Sequence, residues 1–85
     1  MSNEKPAATP VKNAVHWMLF ATALDFPGNQ ESNITCVKEP KPTGVSYLAA
    51  IVPELASVQI RMYRNNELVV TRYVPLAQIK QYEMA

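Results

Sequence analysis

Few groups on this chain could do covalent chemistry. His16 is the one histidine and Cys36 the one cysteine among 85 residues. A serine or cysteine nucleophile needs a base within hydrogen-bond reach. His16 lies inside an apolar run, where it reads as a packed strand histidine. A single cysteine and a single histidine cannot build a Cys/His zinc site or an intrachain disulfide. The acidic residues Asp25, Glu31, Glu39, Glu54, Glu67 and Glu83 are scattered singly, mostly in expected loops. They form neither an oxygen-ligand cluster for a divalent ion nor a matched acid/base pair. Two glycines, Gly28 and Gly44, are too few for a phosphate cradle. The expectation is a protein without catalytic residues, metal, cofactor or small-molecule substrate.

Binding chemistry is better represented. In the stretch 57–74, Val58, Ile60 and Met62 alternate with Gln59, Arg61 and Tyr63. After Asn65-Asn66, a second alternation runs through Leu68, Val70 and Arg72 against Val69, Thr71 and Tyr73. Two such runs around two asparagines predict a β-hairpin, because asparagine tolerates the positive φ of tight hairpin turns. A regular ladder from a two-residue loop pairs Arg64 with Glu67, a possible ion pair at the tip, and Tyr63 with Leu68. It then pairs Met62 with Val69, Arg61 with Val70, Ile60 with Thr71 and Gln59 with Arg72. Val58, Ile60, Met62, Val69, Thr71 and Tyr73 would face the core. Gln59, Arg61, Tyr63, Leu68, Val70 and Arg72 would form the outer face, the predicted partner-binding site. Arginine and tyrosine over apolar side chains is the make-up of protein interaction hot spots. The same make-up suits single-stranded nucleic acid, whose bases stack on aromatic rings. A plain solvated face, with arginine stems shielding Leu68 and Val70, is the third reading. All three depend on register, since a one-residue slip exchanges the faces.

The remaining elements must hold that hairpin. Residues 14–24 form the most apolar segment, with Val15, Trp17, Leu19 and Ala21 on one side and His16, Met18, Phe20 and Thr22 on the other. Both sides being mainly apolar predicts a central strand covered on both faces. Trp17 and Phe20 read as core rather than as a stacking platform. Turn chemistry follows at Asp25-Phe26-Pro27-Gly28-Asn29, then a short strand at 33–38 and a stiff loop containing Pro40, Pro42 and Gly44. A strand is expected at 45–52, with Pro53 opening one short turn through Ala56. Val74-Pro75 repeats the Val52-Pro53 strand exit, and 78–84 reads as a last edge strand or a single helical turn. There Tyr82 is either a partner anchor or part of a frayed end. The fold class is therefore mainly β, a small antiparallel sheet or small barrel of four to five strands with at most one short helix. Residues 1–13 form an N-terminal arm and 14–85 a single domain.

Bulk properties narrow the function further. An 85-residue chain buries only about 60% of the surface its unfolded form exposes, so a second subunit is a natural aid to stability. Eight basic against seven acidic residues lack the basic excess of a duplex-DNA binder. The longest apolar stretch is well short of a membrane span, and its late start behind Glu4 and two prolines argues against a signal peptide. The lone cysteine fits a cytoplasmic location.

The ending LVVTRYVPLAQIKQY, residues 68–82, resembles the close of small phage-encoded β accessory proteins. In those proteins a hairpin strand runs into Val-Pro-Leu-x-x-Ile and a final edge strand. The resemblance covers under a fifth of the chain and assigns no residue a role. It implies a non-enzymatic protein that binds a host target, a nucleic acid or another viral component. The sequence thus points to a non-catalytic protein–protein interaction module, a homo-oligomer or a modulator of a larger partner. The alternatives are a single-stranded nucleic-acid-binding small barrel and an assembly protein with an ordering N-terminal arm.

Overall fold

The computed structural model describes residues 12–85, so most of the expected arm lies outside the described residues. The chain is mainly β. It forms six strands: β1 (Val15–Phe26), β2 (Asn29–Thr35), β3 (Val45–Val52), β4 (Ser57–Arg64), β5 (Glu67–Pro75) and β6 (Ile79–Met84). Two 3-10 turns, Pro53–Leu55 and Leu76–Gln78, each follow a Val-Pro pair or its proline, where the missing N–H removes a ladder bond. The 78–84 segment takes the edge-strand alternative, β6, and the helical turn lies before it at Leu76–Gln78.

Two antiparallel three-stranded sheets result, ordered β2-β1-β6 and β3-β4-β5. β1 is central in the first, as its apolar sequence predicts, but it is not covered on both faces. Met18 and Phe20 are buried, whereas Trp17 and Leu19 are half-buried and Ala21 and Thr22 exposed. A register shift between Val15 and Trp17 brings Val15 to the same inner side as Met18. The shift leaves His16 exposed, not packed. One side of β1 thus meets the second sheet and the other meets solvent.

The core lies between the sheets. Val15, Met18, Phe20, Phe26 and Ile34 meet Tyr47, Val58, Ile60, Met62 and Val74, with Ile60 and Met62 fully enclosed. Side chains of this size contribute roughly 1.5–3 kcal/mol each on full burial. The sheets are also joined through the backbone at the outer edge of β3. Ala14 bridges Ala50, the Ile51 N–H donates to the Asn13 carbonyl at 2.9 Å, and the Val37 N–H donates to the Tyr47 carbonyl at 2.9 Å. Asn13 and Ala14, just before β1, therefore tie the first sheet to the second.

The hairpin tip is fixed at both loop residues. Asn65 and Asn66 take φ values of 53° and 68°, the left-handed pair a tight turn requires. The Asn65 side chain accepts from the Gly44 N–H at 2.8 Å, and the Asn65 N–H donates to the Gly44 carbonyl at 2.9 Å. These two bonds tie the proline-rich loop to the tip.

Candidate binding face

The hairpin follows the regular ladder only for its first two pairs. Arg64 stands opposite Glu67 and Tyr63 opposite Leu68, but Met62 then pairs with Val70. Val69 is the extra residue of a β-bulge, which bends the strand and moves the remainder by one position. Arg61 therefore faces Thr71, Ile60 faces Arg72, Gln59 faces Tyr73 and Val58 faces Val74. Beyond the bulge the expected faces of β5 are exchanged. Val70, Arg72 and Val74 point inward, while Thr71 and Tyr73 point out.

Of the six predicted contact residues, four share the solvent face: Gln59, Arg61, Tyr63 and Leu68. Val70 and Arg72 do not join them. Val70 packs against the core. The Arg72 guanidinium lies 5.4 Å from the centroid of the Phe26 ring and donates through Nη1 to the Asp25 carbonyl. Tyr73, expected in the core, takes the vacated outer position and is 52% exposed, with Leu68 53% exposed. The run Leu68-Val69-Val70 was the available signal. Three apolar residues in a row break the alternation, and either parity can supply an inner face.

The outer side chains are already coupled to one another. Gln59 Nε2 donates to the Tyr73 hydroxyl at 2.9 Å, directly across the strand pair. Arg61 Nη1 donates to the Tyr63 hydroxyl at 3.3 Å, and the guanidinium lies 6.0 Å from that ring's centroid. Two phenols, an amide and a guanidinium are thus held in place on the β3–β4–β5 sheet.

Beside this face, at the edge of β3, runs a groove of about 460 Å³. Leu48 and Ala50 lie opposite Arg61 and Gln59 in the β3–β4 ladder and carry the platform into it. Ala14, His16, Lys38 and the closing residues Met84 and Ala85 also line it.

At the opposite end, the hairpin's other arginines serve the fold. Arg64 Nη2 donates to the Pro27 carbonyl at 2.8 Å and so turns away from Glu67, its expected ion-pair partner. Gly28, at φ 81°, leaves room for that guanidinium; a Cβ there would sit 3.1 Å from Nη2. Tyr47 meets Phe26 edge-on at 5.1 Å, donates to Glu31 Oε2 at 3.1 Å and accepts from Asn29 at 3.4 Å. Burial, then the Glu31 carboxylate, raises the Tyr47 pKa above its ordinary value.

Cys36 is buried, and desolvation pushes its thiol up to about 12, so at neutral pH it is a small apolar side chain rather than a nucleophile. Among the described residues, no group of three or more His, Cys, Asp or Glu side chains converges to hold a metal ion. No helix among them is long and apolar enough to cross a membrane. The chain matches no family model, no curated protein and no solved structure.

Proposed function

We propose that this chain is a non-catalytic protein-binding module and that the solvent face of β3–β4–β5 is its contact surface. The bulge at Val69 carries the reading, because it turns Tyr73 outward beside Gln59, Arg61, Tyr63 and Leu68. Tyrosine and arginine around an exposed leucine match the residues that dominate protein interfaces. The Gln59–Tyr73 and Arg61–Tyr63 hydrogen bonds fix rotamers in advance. Each side chain so fixed spares a partner about 0.5–1.5 kcal/mol of ordering. A second copy or a larger protein in a reducing compartment fits this surface. The resemblance of residues 68–82 to phage accessory proteins makes a host or viral protein the natural class of partner.

Single-stranded nucleic acid is the less favoured occupant. Successive bases stack on a run of open rings, whereas here the Arg61 guanidinium lies over the Tyr63 ring and leaves Tyr73 as the open ring of the face. The test is capture with immobilised protein. Arg61→Ala with Tyr63→Ala is expected to abolish partner capture while the amide spectrum stays folded; undiminished capture by this variant overturns the assignment.

A further inference from the structure

Two three-stranded sheets leave four edge strands: β2, β6, β3 and β5. A sheet edge presents unpaired N–H and C=O groups, which take up another strand unless the edge is covered, bulged or charged. β3 is covered, since Asn13 and Val37 make backbone bonds to Ile51 and Tyr47 and Ala14 bridges Ala50. β2 is polar from Asn29 to Asn33, and its register with β1 breaks between Leu19 and Leu24. β6 is short and carries both Lys80 and Glu83. β5 differs from all three. Among the described residues it pairs with β4 alone, and its Leu68, Val69 and Tyr73 side chains are exposed. Its bulge lies near the start, at Val69, and Val70 to Pro75 run opposite β4 without a break. Its Arg72 is turned inward onto Phe26 and the Asp25 carbonyl.

We propose that the open edge of β5 receives β5 of a second copy of this chain, antiparallel, so that one sheet runs through both copies across a two-fold axis at Thr71. The contact is made by backbone groups of the edge and not by the side-chain face assigned above, so it goes beyond that reading. Symmetry restricts the register. A two-fold axis relating two antiparallel strands stands perpendicular to the sheet and sets one residue opposite itself. With the axis at Thr71, two hydroxyls meet at the centre, Val70 lies beside Arg72 of the copy and Val69 beside Tyr73. Thr–Thr and β-branched–aromatic pairs are favourable across strands. Val69, the bulge residue without a partner on β4, gains one in the copy. The neighbouring registers are worse. An axis at Arg72 sets two guanidinium groups opposite each other, a like-charge pair. An axis at Val70 sets the inward Arg72 against the outward Leu68. An axis at Tyr73 brings Pro75, which has no N–H, into the ladder.

The pairing has a consequence for binding. An axis perpendicular to the sheet keeps the outer faces of both copies on the same side, so the dimer carries Arg61, Tyr63, Leu68 and Tyr73 twice on one continuous surface. Such a surface engages a repeated or two-fold partner bivalently, with an avidity that neither copy has alone. The pairing also supplies burial that an 85-residue chain is short of.

The test combines sedimentation of the full chain with disulfide trapping. Opposite Cα atoms of an antiparallel ladder lie about 4.5–5.5 Å apart, within the roughly 4.4–6.8 Å that a disulfide spans. Under mild oxidation Thr71→Cys is therefore expected to give a covalent dimer, while Gln59→Cys, on the face of the neighbouring strand, stays monomeric. Cys36 is buried and does not compete. The chain without substitution is expected to pass from monomer to dimer as its concentration rises. Thr71→Lys, at an exposed position, sets like charges against each other and is expected to weaken that dimer about tenfold or more, with the amide spectrum of the monomer still folded. A chain that stays monomeric at millimolar concentration overturns the proposal. A dimer that forms undiminished in Thr71→Lys overturns it as well. Cross-linking through Gln59→Cys in place of Thr71→Cys moves the contact from the edge to the face and overturns it too.

Discussion

Arg61 and Arg72 are carried by neighbouring strands of one hairpin, yet they face opposite sides of the sheet. Arg72 lies over the Phe26 ring and donates to the Asp25 carbonyl, where with Arg64 it clamps the β1–β2 turn. Arg61 lies over Tyr63 on the solvent face, bonded only to a phenol among the described side chains. The residue type is the same, and one bulge residue separates the roles. Residue type alone therefore says little about whether an arginine on a small β-sheet turns to the fold or to solvent; register decides.

If that division is right, damage should follow the face. The largest effect is expected at the enclosed inner position Met62, where Met62→Ala should lose about 2–5 kcal/mol in denaturant unfolding through lost transfer energy and the cavity left behind. Arg72→Ala comes next, about 1–3 kcal/mol, since it removes a charged hydrogen bond and a ring contact at the turn clamp. The same substitution at Arg61 should shift the unfolding midpoint by no more than roughly 0.5 kcal/mol. Equal losses at the two arginines would erase the contrast.

Alkaline unfolding sharpens the inner side of the comparison. Cys36 has a raised folded pKa of about 12 against an ordinary 9.0, so the folded state holds its proton where the unfolded state releases it. Stability is unaffected below about pH 9 and falls as pH rises from there towards 12, by up to about 1.4 kcal/mol per unit. Tyr47 shifts in the same direction and adds to the loss. Cys36→Ala should flatten this slope whatever it does to stability at pH 7. The smallest effect is expected from deleting Val69. That removes the bulge while keeping Met62 opposite Val70, so amide and side-chain contacts of Arg72 to the β1–β2 turn should survive.

The fold was legible wherever a local rule applied. Asn65-Asn66 forced its own turn, Pro53 and Pro75 ended their strands, and the alternation of Val58, Ile60 and Met62 placed β4 with the correct side inward. Four of the six predicted contact residues follow from that alternation and the tip pairing. Legibility stopped at the irregularities. Leu68-Val69-Val70 fits either parity, and only packing against Phe26 and Met62 selects Val70 and Arg72 as the inward set. β1 was misread for the same reason. An apolar run such as Trp17 to Phe20 looks buried on both sides, and the shift that frees His16 and half-exposes Trp17 has no sequence mark. The groove was invisible because its lining comes from β1, β3, β4, the 36–38 segment and the last residues of the chain.

Under the proposed function the outer arginine binds and the inner one holds the fold. The direct measurement sets Arg61→Ala with Tyr73→Ala against Arg72→Ala, reading partner capture and melting temperature for each. The outer pair is expected to lose capture at an unchanged melting temperature, and Arg72→Ala to melt earlier yet still capture below its transition. Capture lost only in Arg72→Ala, with the outer pair still binding, would contradict it.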